Sequence, residues 1–460
     1  MGFVNRDREL NALEEWWSRP EPSMAIVWGR RRVGKTALLE RFARVRRSVF
    51  HVATGRPPEQ ELRELSRAAA PVFAGGRRDL VTDPFANWDD AFESLGEAAA
   101  AEPLLVVLDE FPELVVGTHW LPGYLRAVWE RLKRATKLKI LLSGSAVRTM
   151  WAMQTYREPL YGRFDLALPV HPFGPHEAAQ MLPRLTPADR ARVWGIVGGS
   201  PLYLSWWDQE RSVAENLELL AFQPGSRMLE EGSAVLATEA DAGDGGREIL
   251  YAVARGRTKR NEIEDVVKRD PTPALERLEE LRLVERVVPV TEDRRSPRTW
   301  TYRVADNFLA FWLGVLDHYR AEIDRGVADS IVSAWMDDLD GFLGSRWEEA
   351  FRMHLRRLMI DGALGEKVVA VGPFWTWRGA DPAEIDAVVL AGTGRRQAVL
   401  VGEAKWAKRV DAVRIRRQLE RKAAALPSAA PDLRYAVCAR EAVDNAGDVL
   451  AVTAADIFDG

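Results

Sequence analysis

A chain of 460 residues with 47% apolar and 29% charged side chains has the composition of a globular protein and room for two to four domains at roughly 150 residues each. Its formal net charge of −4 excludes a polycation that grips nucleic acid through its global field, so any such contact must come from local basic patches. A single cysteine, Cys438, excludes an internal disulfide framework, no stretch reaches the roughly 20 uncharged apolar residues of a membrane span, and the N-terminal MGFVNRDREL has no apolar signal core; the expectation is a cytoplasmic protein with no membrane partner.

Short apolar runs alternate with helical patterns through the first part of the chain. Residues 24–28, 49–52, 104–108, 140–142 and 166–170 read as strands, with helical patterns such as 35–47 and 122–135 between them. Strands that are apolar on both faces and separated by helices predict an α/β fold with a parallel sheet over residues 1–175. Directly after the first strand, Gly29-Arg30-Arg31-Arg32-Val33-Gly34-Lys35-Thr36, followed by Ala37, fits GxxxxGK[ST] and opens a helix. In such a loop the glycines let backbone N–H groups turn onto phosphate oxygens, and the helix N-terminus adds its dipole. Lys35 then neutralises the β- and γ-phosphates and the Thr36 hydroxyl ligates Mg2+, so the stretch predicts binding of ATP with Mg2+.

The strand at 104–108 runs into Asp109-Glu110. A carboxylate at the C-terminal end of a buried parallel strand faces the ligand crevice, which suits Asp109 to Mg2+ and Glu110 to the role of general base on the attacking water. The strand at 140–142 runs into Ser143-Gly144-Ser145, whose hydroxyls either sense the γ-phosphate or cap a local turn. Arg163 is either an arginine finger, which in trans requires a homo-oligomer, or an ordinary surface arginine.

Residues 176–238 turn helical, and the acidic, glycine-rich 239–246 reads as a linker. Three helical patterns at 248–254, 258–267 and 273–281, then strands around 286–290 and 300–304, give residues 247–305 the layout of a winged helix. The third helix carries Glu276, Glu279 and Glu280 against Arg277 and Arg282, a poor DNA-reading face. Basic residues sit instead at Arg255, Arg257, Lys259 and Arg260 and at the hairpin tip, Arg294, Arg295 and Arg298. Both DNA contact and intramolecular packing remain open for this module. Aromatic-rich connecting helices follow over 306–340.

The last α/β unit, 341–460, offers a helix at 345–359, strands at 385–390 and 398–403, a basic helix at 411–426 and a strand at 435–438. Asp386 opens the first of these strands. Glu403 and Lys405 are two residues apart and so share a strand face. Two carboxylates can hold Mg2+ with open water positions, and the lysine can orient a nucleophile. Glu348 from the preceding helix, or alternatively Glu349, adds a further acid. The competing reading is a solvated strand edge on which Lys405 simply pairs with Glu403. Arg409, Arg414, Arg416, Arg417, Arg421 and Lys422 make the stretch 409–422 basic, suited to a DNA backbone or to a solvated face.

Taken together, Phe3-Val4-Asn5-Arg6 with Glu9-Leu10, the 29–36 loop, Leu108-Asp109-Glu110-Phe111, Ser143-Gly144-Ser145, the PLYGR stretch ending at Arg163, GGSPLYL at 198–204, Glu384-Ile385-Asp386 and Gly402-Glu403-Ala404-Lys405-Trp406 give a chain that resembles the prokaryotic, especially archaeal, DEXX-box P-loop ATPases of the AAA-like/STAND class that end in a restriction-endonuclease-like domain. The resemblance implies an additional-strand P-loop fold, a helical lid (176–238) that brings the 198–204 stretch with Pro201 near the nucleotide, and Asn5 and Arg6 close to the adenine. It also implies a PD-(D/E)xK nuclease pattern carried by Asp386, Glu403 and Lys405, with Ile385 where the proline of that pattern would stand. The expectation is ATP-dependent DNA processing; the alternative is a nucleotide-dependent regulatory switch whose nuclease fold only binds.

Overall fold

Five strands, β1 (Ser23–Trp28), β2 (Ser48–Val52), β3 (Leu104–Asp109), β4 (Leu138–Gly144) and β5 (Phe164–Pro169), pair in parallel in the order β2-β3-β4-β1-β5. β1, β3 and β4 are buried along their whole length, which is why they read as unbroken apolar runs. Successive side chains leave opposite faces. Met24, Ile26 and Trp28 pack with the helices Pro58–Phe73, Trp88–Ala98 and Leu121–Leu132, while Ala25 and Val27 pack with Asp7–Ser18 and Lys35–Ala43. Each fully buried Val or Leu contributes about 1.5–3 kcal/mol, so both faces are anchored. The helix expected over 35–47 ends at Ala43.

The computed structural model describes residues 3–76, 78–238, 245–292, 300–327, 332–376, 382–394 and 396–459. It divides into two units, Met1–Pro172, which holds this sheet, and Phe173–Gly460. Among the described residues no helix is long and apolar enough to cross a membrane.

The second unit begins with five helices, Pro175–Ala179, Pro187–Val197, Pro201–Ser205, Val213–Leu220 and Arg227–Thr238. Proline at the first turn of three of them, and side-chain caps from Thr186 and Ser212, fix where they start. Three helices follow, Gly246–Ala254, Arg260–Val267 and Thr272–Glu280, then an antiparallel pair, β6 (Val284–Val287) and β7 (Thr301–Val304). Most of the expected linker, 239–244, and the hairpin-tip residues Arg294, Arg295 and Arg298 lie outside the described residues.

One 29-residue helix, Val332–Ile360, leads into the last sheet; the sequence pattern marks only its second half. The strands are β8 (Val368–Thr376), β9 (Ala383–Ala391), β10 (Gln397–Ala404), β11 (Arg409–Asp411), β12 (Ala429–Cys438), β13 (Ala442–Asp444) and β14 (Leu450–Val452). The main sheet runs β14-β12-β10-β9-β8. β8, β9 and β10 are antiparallel, whereas β10, β12 and β14 are parallel, the crossover between β10 and β12 being the helix Ala412–Ala423. β11 and β13 form a separate pair.

Gly402 of β10 has no room for a side chain: a Cβ there would lie 2.8 Å from the ring of Phe351 on the Val332–Ile360 helix. That close approach seats the helix on the sheet. Gly402→Ala is expected to cost about 1–3 kcal/mol through overpacking, read as a lower urea midpoint with an unchanged slope.

Candidate functional site

The parallel strands of the first unit share a direction, so the 29–36 loop after β1, Asp109-Glu110 after β3 and Ser143–Ser145 after β4 meet at one sheet edge. β4 stands between β1 and β3. Gly34, at φ 87°, and Arg32, at φ 68°, turn the loop backbone. Lys35 is buried and its Nζ donates to the carbonyls of Gly29 (2.9 Å) and Arg30 (3.1 Å). Val33 is buried, while Arg31 and Ala37 are exposed. Thr36 Oγ1 donates to Asp109 Oδ2 at 2.6 Å, and the Glu110 N–H donates to Asp109 Oδ1 at 3.0 Å.

Glu110 adopts φ 51°, and its Oε2 accepts from the N–H (3.0 Å) and Oγ (2.9 Å) of Ser145. The two serines left open by the sequence therefore separate. Ser145 holds Glu110, whereas the Ser143 hydroxyl is fully buried and has no hydrogen-bond partner among the described residues. Such an unsatisfied group fits a site that awaits a ligand. Arg6 (φ 73°) is a brace for the loop: Nη2 donates to the Val33 carbonyl at 2.7 Å and Nη1 to Glu9 at 2.7 Å. Asn5, at φ 57°, precedes it.

Arg163 occupies a different place. Phe164 is level with Met24 in the β1–β5 register, so Arg163 lies at the opposite sheet edge from the loop. The six residues of β1 separate the two edges by roughly 20 Å at about 3.3 Å per residue. Arg163 Nε sits 2.9 Å from Glu130, and it does not serve the phosphate site of its own chain. Pro201 opens the helix Pro201–Ser205 in the second unit.

In the second unit, Asp386 of β9 and Glu403 of β10 are buried. Asp386 Oδ2 accepts the Ala404 N–H at 2.8 Å. Glu403 accepts Lys405 Nζ on Oε1 (2.7 Å) and Lys422 Nζ on both oxygens (2.9 and 2.8 Å). β10 ends at Ala404, so Lys405 lies just beyond the strand and not within it, and it forms the pairing weighed as the competing reading. Burial, then Glu348 and Glu403, push the Asp386 carboxyl up to about 7. Burial raises Glu348 as well, with Glu384 and Glu403 adding to the rise while Arg352 and Lys405 oppose it. Glu349 behaves differently. Burial would raise it, but Arg303, Arg352 and Arg356 together hold it well below the usual carboxylate range, through contacts of 3.0, 3.0 and 2.8 Å. Glu348 thus shares the field of Asp386 and Glu403, and Glu349 belongs to an arginine cluster.

Two contacts were not singled out from the sequence. Arg352 Nη1 donates to the Asp386 carbonyl at 2.7 Å. Lys422 reaches Glu403 because it continues the stripe of the buried Ala412, Ile415 and Leu419, a three-four-three spacing that faces the sheet; that spacing was the available signal. Elsewhere on this helix Arg416 pairs with Glu420 (3.0 Å), whereas Arg414, Arg417 and Arg421 are exposed. Arg409 pairs with Asp444. In the three-helix module Arg260 pairs with Glu264 and Asp270, Arg286 with Glu279, and the Val290 N–H donates to the Pro373 carbonyl of β8. The module thus packs on the last sheet. A cavity of about 540 Å3 between them is lined by Lys259, Arg346, Glu348, Glu384 and Asp386 among others.

Among the described residues no three acidic, histidine or cysteine side chains gather into a ready metal cage. The donors are pairs of hard oxygens, Thr36 with Asp109 and Asp386 with Glu403. Such pairs fit Mg2+, which keeps several of its waters and takes one or two carboxylates.

Residues 3–206 match the model of an ATPase domain predominantly from Archaea, and residues 312–418 match that of archaeal and bacterial proteins of unknown function. An uncharacterized protein of Methanocaldococcus jannaschii is 26% identical over 432 residues, 91% of each chain. An uncharacterized ATP-binding protein of the same organism is 50% identical over 40 residues, 9% of this chain and 68% of that one. A Walker-type ATPase of Pyrococcus abyssi superposes with a TM-score of 0.52 at 22% identity, covering 68% of this chain and 96% of its own; the likeness is one of fold.

Proposed function

We propose, with the ATPase domain of residues 3–206 as premise, that the chain binds and hydrolyses ATP at the 29–36 loop and uses it to control a Mg2+-dependent DNA nuclease centred on Asp386. The observation that carries the second half is the confined set of Asp386, Glu403 and Glu348 beside Lys405, remote in sequence from the phosphate loop. Asp386 and the half-buried Glu348, both pushed up beside Glu403, are a costly arrangement that a catalytic site rationalises.

At the first site Lys35 leaves the carbonyls of Gly29 and Arg30 for the β- and γ-phosphates. Glu110, oriented by Ser145, takes the proton of the attacking water, and the Ser143 hydroxyl donates to a γ-phosphate oxygen. At the second, Lys405 holds the attacking water or offsets phosphate charge, and Arg352 and the Ala404 N–H fix Asp386. Mg2+ would be held by Thr36 and Asp109 and by Asp386 and Glu403; when bound it supplies charge neutralisation and a more acidic water. The module at 247–305 is read as a winged helix, residues 176–238 as the lid with Pro201, and Asn5 as lying towards the adenine. The exposed Arg414, Arg417 and Arg421 are read as a DNA backbone contact. Arg163 is read as acting in trans, so a strictly monomeric and fully active ATPase removes that role.

The test is cleavage of labelled linear, single-stranded, branched and supercoiled DNA with Mg2+ or Mn2+, with and without ATP. Metal-dependent cleavage that responds to ATP is expected. Intact ATP turnover with no cleavage of any substrate sinks the nuclease. A second reading, a regulatory switch with a binding-only C-terminal fold, draws on the two lysines that already neutralise Glu403, and that null result would favour it.

A further inference from the structure

The cavity between the three-helix module and β8–β9 has a volume of about 540 Å3, within the roughly 300–1,000 Å3 usual for ligand sites. Four cations line it, Lys259, Arg303, Arg346 and Arg352, together with the four acids Glu262, Glu348, Glu384 and Asp386. The cations are not equivalent. Arg303 is neutralised by Glu285 (2.8 Å) and Glu349 (3.0 Å), Arg352 by Glu349 (3.0 Å), and Lys259 has Glu262 at 3.9 Å. Arg346 has no carboxylate within ion-pair distance among the described residues. Its Nη1 makes two long bonds of 3.3 Å, to the Val304 carbonyl and Asn307 Oδ1, and its Nε is buried without a partner. Phe342 lies against its guanidinium, 5.3 Å from ring centroid to Cζ.

A guanidinium taken partly out of water without a counter-ion is costly, and a structural role would be better served by a paired or apolar side chain. The anion it lacks must enter through the cavity, and the cavity also touches Asp386. We propose that Arg346 is the phosphate-binding residue of this cleft and takes a phosphodiester of the DNA strand that is presented to Asp386. The strand then lies between the three-helix module and the last sheet, and the module contributes a wall of the cleft, through Gly256, Thr258 and Lys259, and not its acidic third helix. Planar, forked donors are the usual partners of a phosphate. The proposal rests on the nuclease reading for the identity of the anion.

The test uses the full chain in EDTA, so that binding is measured without cleavage. Anisotropy of a short fluorescein-labelled duplex is followed over a salt series for wild type, Arg346→Met and Arg346→Lys. Arg346→Met is expected to weaken binding about 10-fold or more, as for loss of a charged hydrogen bond, and to lower the slope of log K against log salt by about 1. Arg346→Lys restores the slope but only part of the affinity. Thermal unfolding adds a readout that a structural arginine would move the other way: the melting temperature of Arg346→Met stays level or rises. In wild type, the duplex slows modification of Arg346 by phenylglyoxal, read by mass spectrometry, and inorganic phosphate does so far less.

Unchanged affinity and slope in Arg346→Met, with wild type binding the duplex, overturn this inference and leave the nuclease reading standing. So does a lowered melting temperature with unchanged binding, or equal protection by inorganic phosphate, which marks a small-anion site. No binding of any DNA by wild type overturns the DNA reading itself.

Discussion

Lys35→Ala is expected to abolish measurable ATP hydrolysis and to weaken ATP binding by about 100-fold or more, the scale set by loss of one preorganised charged donor at a phosphoryl group. Its ammonium is buried at the mouth of the 29–36 loop and touches the carbonyls of Gly29 and Arg30. Those two bonds hold the cation in place but contribute only about 1 kcal/mol each, so the variant folds and its circular dichroism matches wild type. Without the ammonium, the β- and γ-phosphate charges meet the loop's N–H groups alone. Fluorescent-nucleotide titration and phosphate release measure the two effects separately. Turnover within a few-fold of wild type would remove Lys35, and with it the phosphate site, from the chemistry. Cleavage of DNA that keeps the same response to ATP in this variant would leave the nuclease standing and end the idea that ATP controls it.

The other large effect is at Asp386. Asp386→Ala should reduce DNA cleavage by about 1,000-fold or more, as expected when a metal-holding carboxylate in a site acting as a unit is removed, while ATP turnover is unaffected. Lys405→Ala should produce a comparable loss. Stability provides a separate signature. In metal-free buffer the Asp386 carboxyl stands at about 7 in the folded chain against 3.8 for an ordinary aspartate. The folded state therefore holds a proton over that interval which the unfolded chain has released. Its contribution to stability is full below about pH 4 and is lost as the pH rises through about 7. Asp386→Ala should flatten that decline. Urea midpoints of both proteins across pH 4 to 8 test this, and parallel curves would mean that Asp386 titrates as an ordinary surface acid.

How far these sites could be read from the chain depends on whether the deciding contact is local. The loop at 29–36 and the acids after β3 are legible because a phosphate site needs a particular strand–turn–helix sequence, and β1, β3 and β4 are apolar on both faces. β8 left no comparable trace. It is an edge strand with Gly372 and Pro373 at a break in its register, where the missing donor of proline is tolerated. The division of labour between Glu348 and Glu349 is invisible in sequence, since it is set by Arg303, 46 residues away on β7, and by the turn of one helix. Lys422 could have been found from its place on the buried stripe, but its charge led it to be counted with the solvent-facing arginines of the same helix. Arg163 shows the converse: its motif left a catalytic and a surface role open, and only the register of β5 against β1 reveals which sheet edge it occupies.

Among the described residues seven that are not glycine have positive φ; Arg32 and Glu110 lie in the loop and after β3, Arg6 braces the loop, and Asn5 precedes Arg6. A left-handed backbone at such a residue costs roughly 1–3 kcal/mol, less for asparagine. At Arg32 and Glu110 a bulky side chain stands where glycine would relax the backbone, as expected where the side chain itself is used. A laboratory lineage evolved for heat resistance alone is then free to replace them, and Arg32 and Glu110 are where it gains most by drifting to glycine. Its descendants would melt later and turn over less, so the record of what this edge of the sheet is for would be written in the substitutions that only a purely thermal selection accepts.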